Sequence, residues 1–298
     1  MSGLGVEAPR RPGGLPQGGA RILGRAPMRD FVRERGAVLA VQAALVAAVL
    51  VAWELAVQSG VVSDRILGRP SGVVERIIEL GSGAETYGRT TIYTHILTTL
   101  QEIVPGYLIG ATAGLLLGVV FARSAIVRAV LEPYLLALYS VPKIALAPVF
   151  ILFFGIGIVS KIAIVIMGVF FMVFFNTYAG VSSVNEEYVN AARIMGSSRL
   201  QVFRRVVMPA AMPAIILGFK MGVPFAMIGA IVGEFIASFN GLGFYIKQAT
   251  SFYDASGLMA GIVFLVVITW LISSVIGVLE GRVLRWQPRR ERRAEPSA

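Results

Sequence analysis

The chain has 298 residues, 56% of them apolar and only 15% charged, which is too apolar for a soluble domain of that length. It contains no cysteine and a single histidine, His95, so disulfides, thiolate metal sites, a zinc cluster and a Ser-His-Asp triad are excluded, and no cofactor is called for. Of the 27 Lys and Arg, seven precede the first apolar run, six follow the last, and six lie in two internal loops, Arg123–Arg128 and Arg193–Arg205. The net charge of +10 is therefore distributed as a positive-inside bias, with both ends cytoplasmic, and not as a nucleic-acid patch.

Residues 1–36, rich in Gly, Pro and Arg, read as a disordered basic tail and not as a secretory signal, since no small-residue cleavage site follows the apolar run. The first span is Val38–Val57, with Glu54 near its far end reaching the interface. Residues 58–94 form an outside segment in which Pro70 opens a short surface helix, and His95 heads the next helix as a solvated or capping residue. The second span, about Ile96–Ala122, carries Gly106, Gly110, Gly114 and Gly118 at four-residue spacing, a smooth face for close helix packing.

The third span, about Leu135–Val159, holds Pro142, Lys143 and Pro148 within an apolar run. Its fifteen Leu, Ile, Val and Phe residues, at roughly −0.3 to −0.6 kcal/mol each, outweigh one central Lys at about +3. Prolines free backbone carbonyls that membranes tolerate only against protein or a cavity, so Ser140–Pro148 is a candidate lining of the translocation path or its gate. The competing reading is a Lys143 that snorkels to the headgroups. Gly155 and Gly157 make the outside turn, and Lys161 anchors the fourth span, Ile162–Tyr178, where Asn176 either bonds a neighbouring helix or touches solute. The fifth span, Met212–Ile236, holds Lys220, Pro224 and Glu234; Lys220 either snorkels or faces the path. The Asn240–Gly243 turn follows, and Leu258–Leu279 is a charge-free sixth span.

Between the fourth and fifth spans lies a polar stretch, Glu186–Pro213. Tyr188, Ala191, Ala192 and Met195 recur at i, i+3, i+4, i+7, the spacing of one helical face. Gly196 sits where a helix end takes a positive φ, and Ser198 with Gln201 forms a capping box that opens a second short helix. Leu200, Phe203 and Val207 share one side of that helix, and Pro209 and Pro213 mark the return to the membrane. Neither short helix spans a bilayer of roughly 30 Å. A DNA-reading helix-turn-helix is the alternative, and the flanking spans argue against it.

Asn190-Ala191-Ala192, three residues, Gly196, nine residues, Val206, one residue, then Met208-Pro209 resembles the EAA loop of permease subunits of bacterial ABC importers, with similarity over roughly residues 66–286. The resemblance implies an all-α integral membrane protein with six transmembrane helices, a type I importer permease. Its coupling loop (181–211) lies in a permease domain (37–286) followed by a basic tail (287–298). It also implies that Glu186, Glu187, Asn190, Ala191, Ala192, Arg193, Gly196, Ser198 and Pro209 form a coupling helix docked on separate ATPase subunits. Asn190 stands where the motif usually has Glu. The implied partners are a periplasmic or lipid-anchored binding protein, a second permease copy and membrane lipid.

Leu67–Pro70, Ser140–Pro142, Phe154–Gly157, Asn176-Thr177 and Gly241–Gly243 are similar to the nitrate, sulfonate, taurine and bicarbonate group, which also includes carriers of pyrimidine or vitamin precursors. Path residues are then Ser140, Pro142, Lys143, Pro148, Asn176 and Lys220. No Walker A signature is present, so ATP hydrolysis is expected on another subunit. A secondary transporter or channel would explain the broken span but not the capped loop. An intramembrane enzyme lacks any nucleophile–base set.

Overall fold

A computed structural model describes residues 28–87 and 89–285. Of the tails expected over residues 1–36 and 287–298, residues 1–27 and 287–298 lie outside the described residues, and residues 28–36, expected to be disordered, are helical. The chain divides into two compact units, Met1–Ala52 and Trp53–Ala298. In the first, helix α1 (Met28–Gln58) begins ten residues before the expected span, and every residue of Ala37–Ala52 is exposed and mostly apolar, a surface suited to lipid.

Among the described residues of the second unit the regular elements are helices, joined by turns, with one isolated bridge, Glu85 to Thr91. After α2 (Asp64–Leu67) comes the surface helix α3 (Pro70–Gly81), opened by Pro70 at its first position as the sequence suggested. Glu54 serves as its cap: the carboxylate accepts the Ser71 N–H at 3.1 Å and the Ser71 hydroxyl at 2.9 Å. The spans that follow are α4 (Ile92–Arg123), α7 (Ile158–Ser182), α10 (Met208–Ala237) and α12 (Ala255–Val283). Between α4 and α7 lie α5 (Ala125–Ser140), a 3₁₀ turn (Lys143–Leu146) and α6 (Ala147–Phe154). Between α7 and α10 lie α8 (Glu186–Ile194), α9 (Arg199–Val202) and a π turn (Phe203–Val207). The α11 helix (Leu242–Ser251) had no counterpart in the sequence reading.

The core is a three-helix contact of α4, α7 and α10. All four glycines of the α4 stripe face α7. A Cβ at Gly106 would meet Val165 at 2.6 Å, one at Gly110 the Ile166 carbonyl at 2.8 Å, and one at Gly114 the Phe170 carbonyl at 2.7 Å. At Gly118 the Thr177 side chain stands 2.8 Å away. On its other side α7 meets α10 through Gly168 and Gly180, answered by Gly218, Gly229 and Gly233. Val165, Val169 and Val173 fill the middle with no exposure at all. Because lipid tails are as apolar as the side chains, such contact depends on van der Waals packing, and small residues let the backbones approach.

Two expectations need correction. The third apolar run is not one straight span: it breaks at Val141–Pro142, and the two arms meet at 88°. Pro142 is the cause, since it cannot donate the helical hydrogen bond to the turn before it, whereas Pro148 sits in the first turn of α6 where no such bond is due. Among the described residues, five helices are thus long and apolar enough to cross a membrane, or six if the bent pair is one span. The second helix of the polar stretch, moreover, is not separate from the fifth span. Arg199–Ala237 is one continuous 39-residue helical run, with a π turn at Phe203–Val207 just ahead of Pro209, which has no N–H to give the Arg205 carbonyl.

At the opposite end of the bundle from α8, α3 is tied down by charge. Arg76 meets Glu79 at 2.6 Å and Asp254 at 3.5 Å, and the Tyr87 hydroxyl donates to Asp254 at 2.5 Å while the ring stacks on Phe252. Burial first, and then the Asp254 carboxylate, push the Tyr87 phenol above its ordinary value; Arg76, against the effect of its burial, is raised by Glu79.

Gly110→Val is expected to destabilise the protein by about 1–3 kcal/mol or more, because a backbone carbonyl of α7 must move, and thermal unfolding in detergent measures it. For Tyr87, a raised folded-state pKa means its contribution is intact below about pH 10, the unfolded value, and is lost as pH rises through the folded value. The melting temperature of the wild type should therefore fall more steeply above about pH 10 than that of Tyr87→Phe.

Candidate functional site

The polar stretch folds into a hairpin of α8 and the start of the α9–α10 run. Asn185 caps α8, its Oδ1 accepting the Glu187 N–H at 2.8 Å, and Glu186 and Glu187 place negative charge at the positive helix end. At the other end Gly196 takes φ +80°, with the Gly196 N–H donating to the Arg193 carbonyl at 2.9 Å and the Ser197 N–H to that of Ala192 at 3.1 Å. Both arms of the predicted capping box form: the Ser198 N–H donates to Gln201 Oε1 at 2.8 Å and the Gln201 N–H to Ser198 Oγ at 3.3 Å. Each reversal of chain direction is thereby fixed by hydrogen bonds of the hairpin itself.

The hairpin presents its apolar residues outward. Tyr188 is 64% exposed, Ile194 87%, Met195 78% and Leu200 62%. Among the motif positions Glu186, Glu187, Asn190, Ala191, Arg193, Gly196 and Ser198 are exposed, while Ala192 and Pro209 are half-buried. No atom lies within 4 Å of a Cβ built on Gly196, so its glycine is required by φ and not by space within the chain. Leu200, Phe203 and Val207, expected on one side of the second helix, do not share one environment: Leu200 is exposed, while Phe203 and Val207 are half-buried. The inward set is Val202, Phe203 and Val207, because the π turn shifts the register after Val202 and leaves Leu200 facing out.

Beneath the hairpin is a concavity of about 620 Å³ lined by Ala122, Arg123, Val181, Arg193, Arg199 and Phe203 among others. The Arg123 guanidinium stands 4.4 Å from the Phe203 ring centroid, tying the end of α4 to the start of the α10 run.

The residues suggested for a path are not gathered in one place. Ser140 and Asn176 each bond a carbonyl one turn back, Leu136 at 2.8 Å and Met172 at 2.8 Å. Lys143 donates to the Tyr139 carbonyl at 3.3 Å and lies over the Tyr139 ring at 4.4 Å and the Phe171 ring at 5.2 Å. It lines a narrow cleft of about 30 Å³ with Gly168, Phe225, Gly229 and Val232. Pro142 and Pro148 bracket the 3₁₀ turn and are exposed. Lys220 sits elsewhere, paired at 2.5 Å with Glu280 of the α12 end.

Sequence reasoning missed a cluster at the far end of the bundle. Lys161 is 6% exposed, bonded to Glu102 at 2.8 Å and to Ser238 at 2.7 Å, so it is a buried ion-pair partner and not an interfacial anchor. His95, expected to be solvated or capping, is fully buried. Its Nδ1 accepts the Gly241 N–H at 3.1 Å and its Nε2 meets Thr86 at 2.8 Å, while Thr91 occupies the capping position. Glu234, also fully buried, accepts from the Gly243 N–H at 2.5 Å. The available signal was an ionisable residue inside each of three apolar runs, which calls for a partner.

Comparison with known proteins places this geometry. The family described as "Binding-protein-dependent transport system inner membrane component" matches residues 110–286, more than half of the chain. A Bacillus subtilis (strain 168) protein named for aliphatic sulfonates transport, permease protein SsuC, is 31% identical over 92% of this chain and 96% of its own length. The formylaminopyrimidine transport permease protein ThiX of Halalkalibacterium halodurans is 32% identical over 80% of this chain and 92% of its own. The taurine transport system permease protein TauC of Escherichia coli (strain K12) is 29% identical over 80% and 87%. The fold is similar to that in inward-facing structures of the MetNI methionine ABC transporter, with a TM-score of 0.57 at 20% identity over 64% of this chain and 95% of that one. The chain therefore belongs to the family of binding-protein-dependent transport system inner membrane components, as the multi-pass permease subunit of an ABC importer for a small solute, with ATP hydrolysis on a separate subunit.

Proposed function

We propose that this permease carries a small organic or inorganic anion of the sulfonate, taurine or nitrate kind across the cytoplasmic membrane. In this reading the hairpin at Glu186–Pro213 is the handle on which a cytoplasmic ATPase acts, both chain termini are cytoplasmic, and the permease domain spans 37–286. The observation that carries it is the hairpin's own construction. Tyr188, Ile194, Met195 and Leu200 stand exposed on a short unit stiffened at both reversals, as a surface made for a partner would be. A closing ATPase that displaces α8 would transmit that displacement through the unbroken helical run into α10. Glu186, Glu187 and Arg193 supply charge to the contact in place of the Glu that Asn190 replaces.

A symmetric transporter needs a second copy of the chain, and the reading takes a homodimer. The anion assignment rests on the names of SsuC and TauC together with two lysines in apolar segments, Lys143 and Lys220. Of these Lys143 is the stronger candidate, having no acidic partner among its contacts, whereas Lys220 is neutralised by Glu280. A pyrimidine or vitamin precursor is the second reading, favoured by the 32% identity to ThiX and 31% to the riboflavin transport system permease protein RibX of Chloroflexus aurantiacus.

Ala192→Cys is expected to cross-link to the co-expressed ATPase, detected as a shifted band on gels; a cross-link only to lipid or solvent-side reagents would remove the handle from this hairpin. Gly196→Asp, costing about 1–2 kcal/mol in backbone strain, should leave membrane insertion intact and reduce solute uptake to background while ATPase activity persists. Lys143→Met should lower uptake of a sulfonate at least tenfold in reconstituted vesicles, and unchanged uptake would mean that the charge has no part in the path.

A further inference from the structure

The cluster at the end of the bundle opposite the hairpin holds more buried acid than buried base. Thr99 Oγ1 lies 2.7 Å from Glu234 Oε1 and accepts the Leu242 N–H at 2.9 Å, so the hydroxyl can donate to an ionised Glu234 or accept from a protonated one. Charge decides between the two. Glu102 and Glu234 are 1% and 0% exposed, and Lys161 spends its contacts on Glu102 and Ser238.

Among the described residues no second cation is hydrogen-bonded to either acid. His95 accepts the Gly241 N–H on Nδ1 and is therefore neutral, and Tyr245, the next titratable ring at 5.8 Å from it, carries no charge. The α11 N-terminus has a partial positive charge, but the three N–H groups at that end are divided among His95, Thr99 and Glu234. Two carboxylates against one ammonium would leave net negative charge on buried side chains. Glu102 Oε2 is, in addition, buried with no hydrogen-bond partner.

We infer that Glu102, Lys161 and Glu234 form a proton-binding site, in which one proton, seated mainly on Glu234, makes the triad neutral and fastens the 238–243 turn to α4 and α10. Gly241, at φ +111°, and Gly243 let the turn backbone close directly over the Glu234 carboxyl. The ligand is thus a single proton.

Infrared difference spectroscopy on the full chain in lipid bilayers near neutral pH tests this. Glu234→Gln should lose one protonated-carboxyl C=O band and keep its melting temperature within a few degrees, since the amide repeats both hydrogen bonds. Glu102→Gln should lose the same band, because Glu234 then ionises to pair with Lys161. Lys161→Met should roughly double the band; if that variant fails to fold, the two glutamine variants decide alone. Loss of an ionised-carboxylate band in Glu234→Gln, with no protonated band lost, would overturn the assignment.

Discussion

Everything positioned in this molecule is positioned by the glycine seam between α4 and α7. Inside a bilayer no hydrophobic force draws two helices together, so the contact depends on backbones coming near enough for dispersion to accumulate over many atoms. The Cβ distances along Gly106, Gly110, Gly114 and Gly118, all under 3 Å, show that the approach is already as close as glycine allows. From that seam two consequences run in opposite directions. At one end α7 delivers the chain to the hairpin; at the other, α4 delivers His95, Thr99 and Glu102 to the turn after α10.

The hairpin and the span after it behave as one mechanical part. A loop joining α8 to α10 would dissipate a push, but the chain makes only one tight reversal, at Gly196, and is helical from Arg199 to Ala237. The π turn is where this continuity is under strain from sequence, because Pro209, just beyond it, removes a backbone donor. Widening the helix by one residue per turn keeps it intact and re-aims Leu200 outward, toward whatever grips the hairpin.

Polar chemistry inside the bundle is divided by the same geometry. The Lys161–Glu102 pair, Glu234 and His95 are buried and tie α4, α7 and the turn after α10 together. Lys143 differs in kind: it hangs from a broken span, met by a carbonyl and two aromatic faces. Polar groups bonded across several helices confer rigidity, whereas a charge left with such soft contacts is placed to exchange them.

Much of this was legible in the residues. Hydropathy located the spans, four-residue glycine spacing named the packing face, and Ser198 with Gln201 announced a helix start, since each depends on neighbours within a turn or two of the chain. The tertiary structure decided what depends on distant residues. It bent the third apolar run by 88°, merged the short second helix into the fifth span, turned His95 and Lys161 from apparent surface groups into buried partners, and gave Glu234 of the fifth span its buried contacts. A side chain's spacing along the chain tells which face it occupies; only the arrival of another helix, 60 or more residues away as Glu102 is from Glu234, tells whether that face meets lipid, water or a counter-charge.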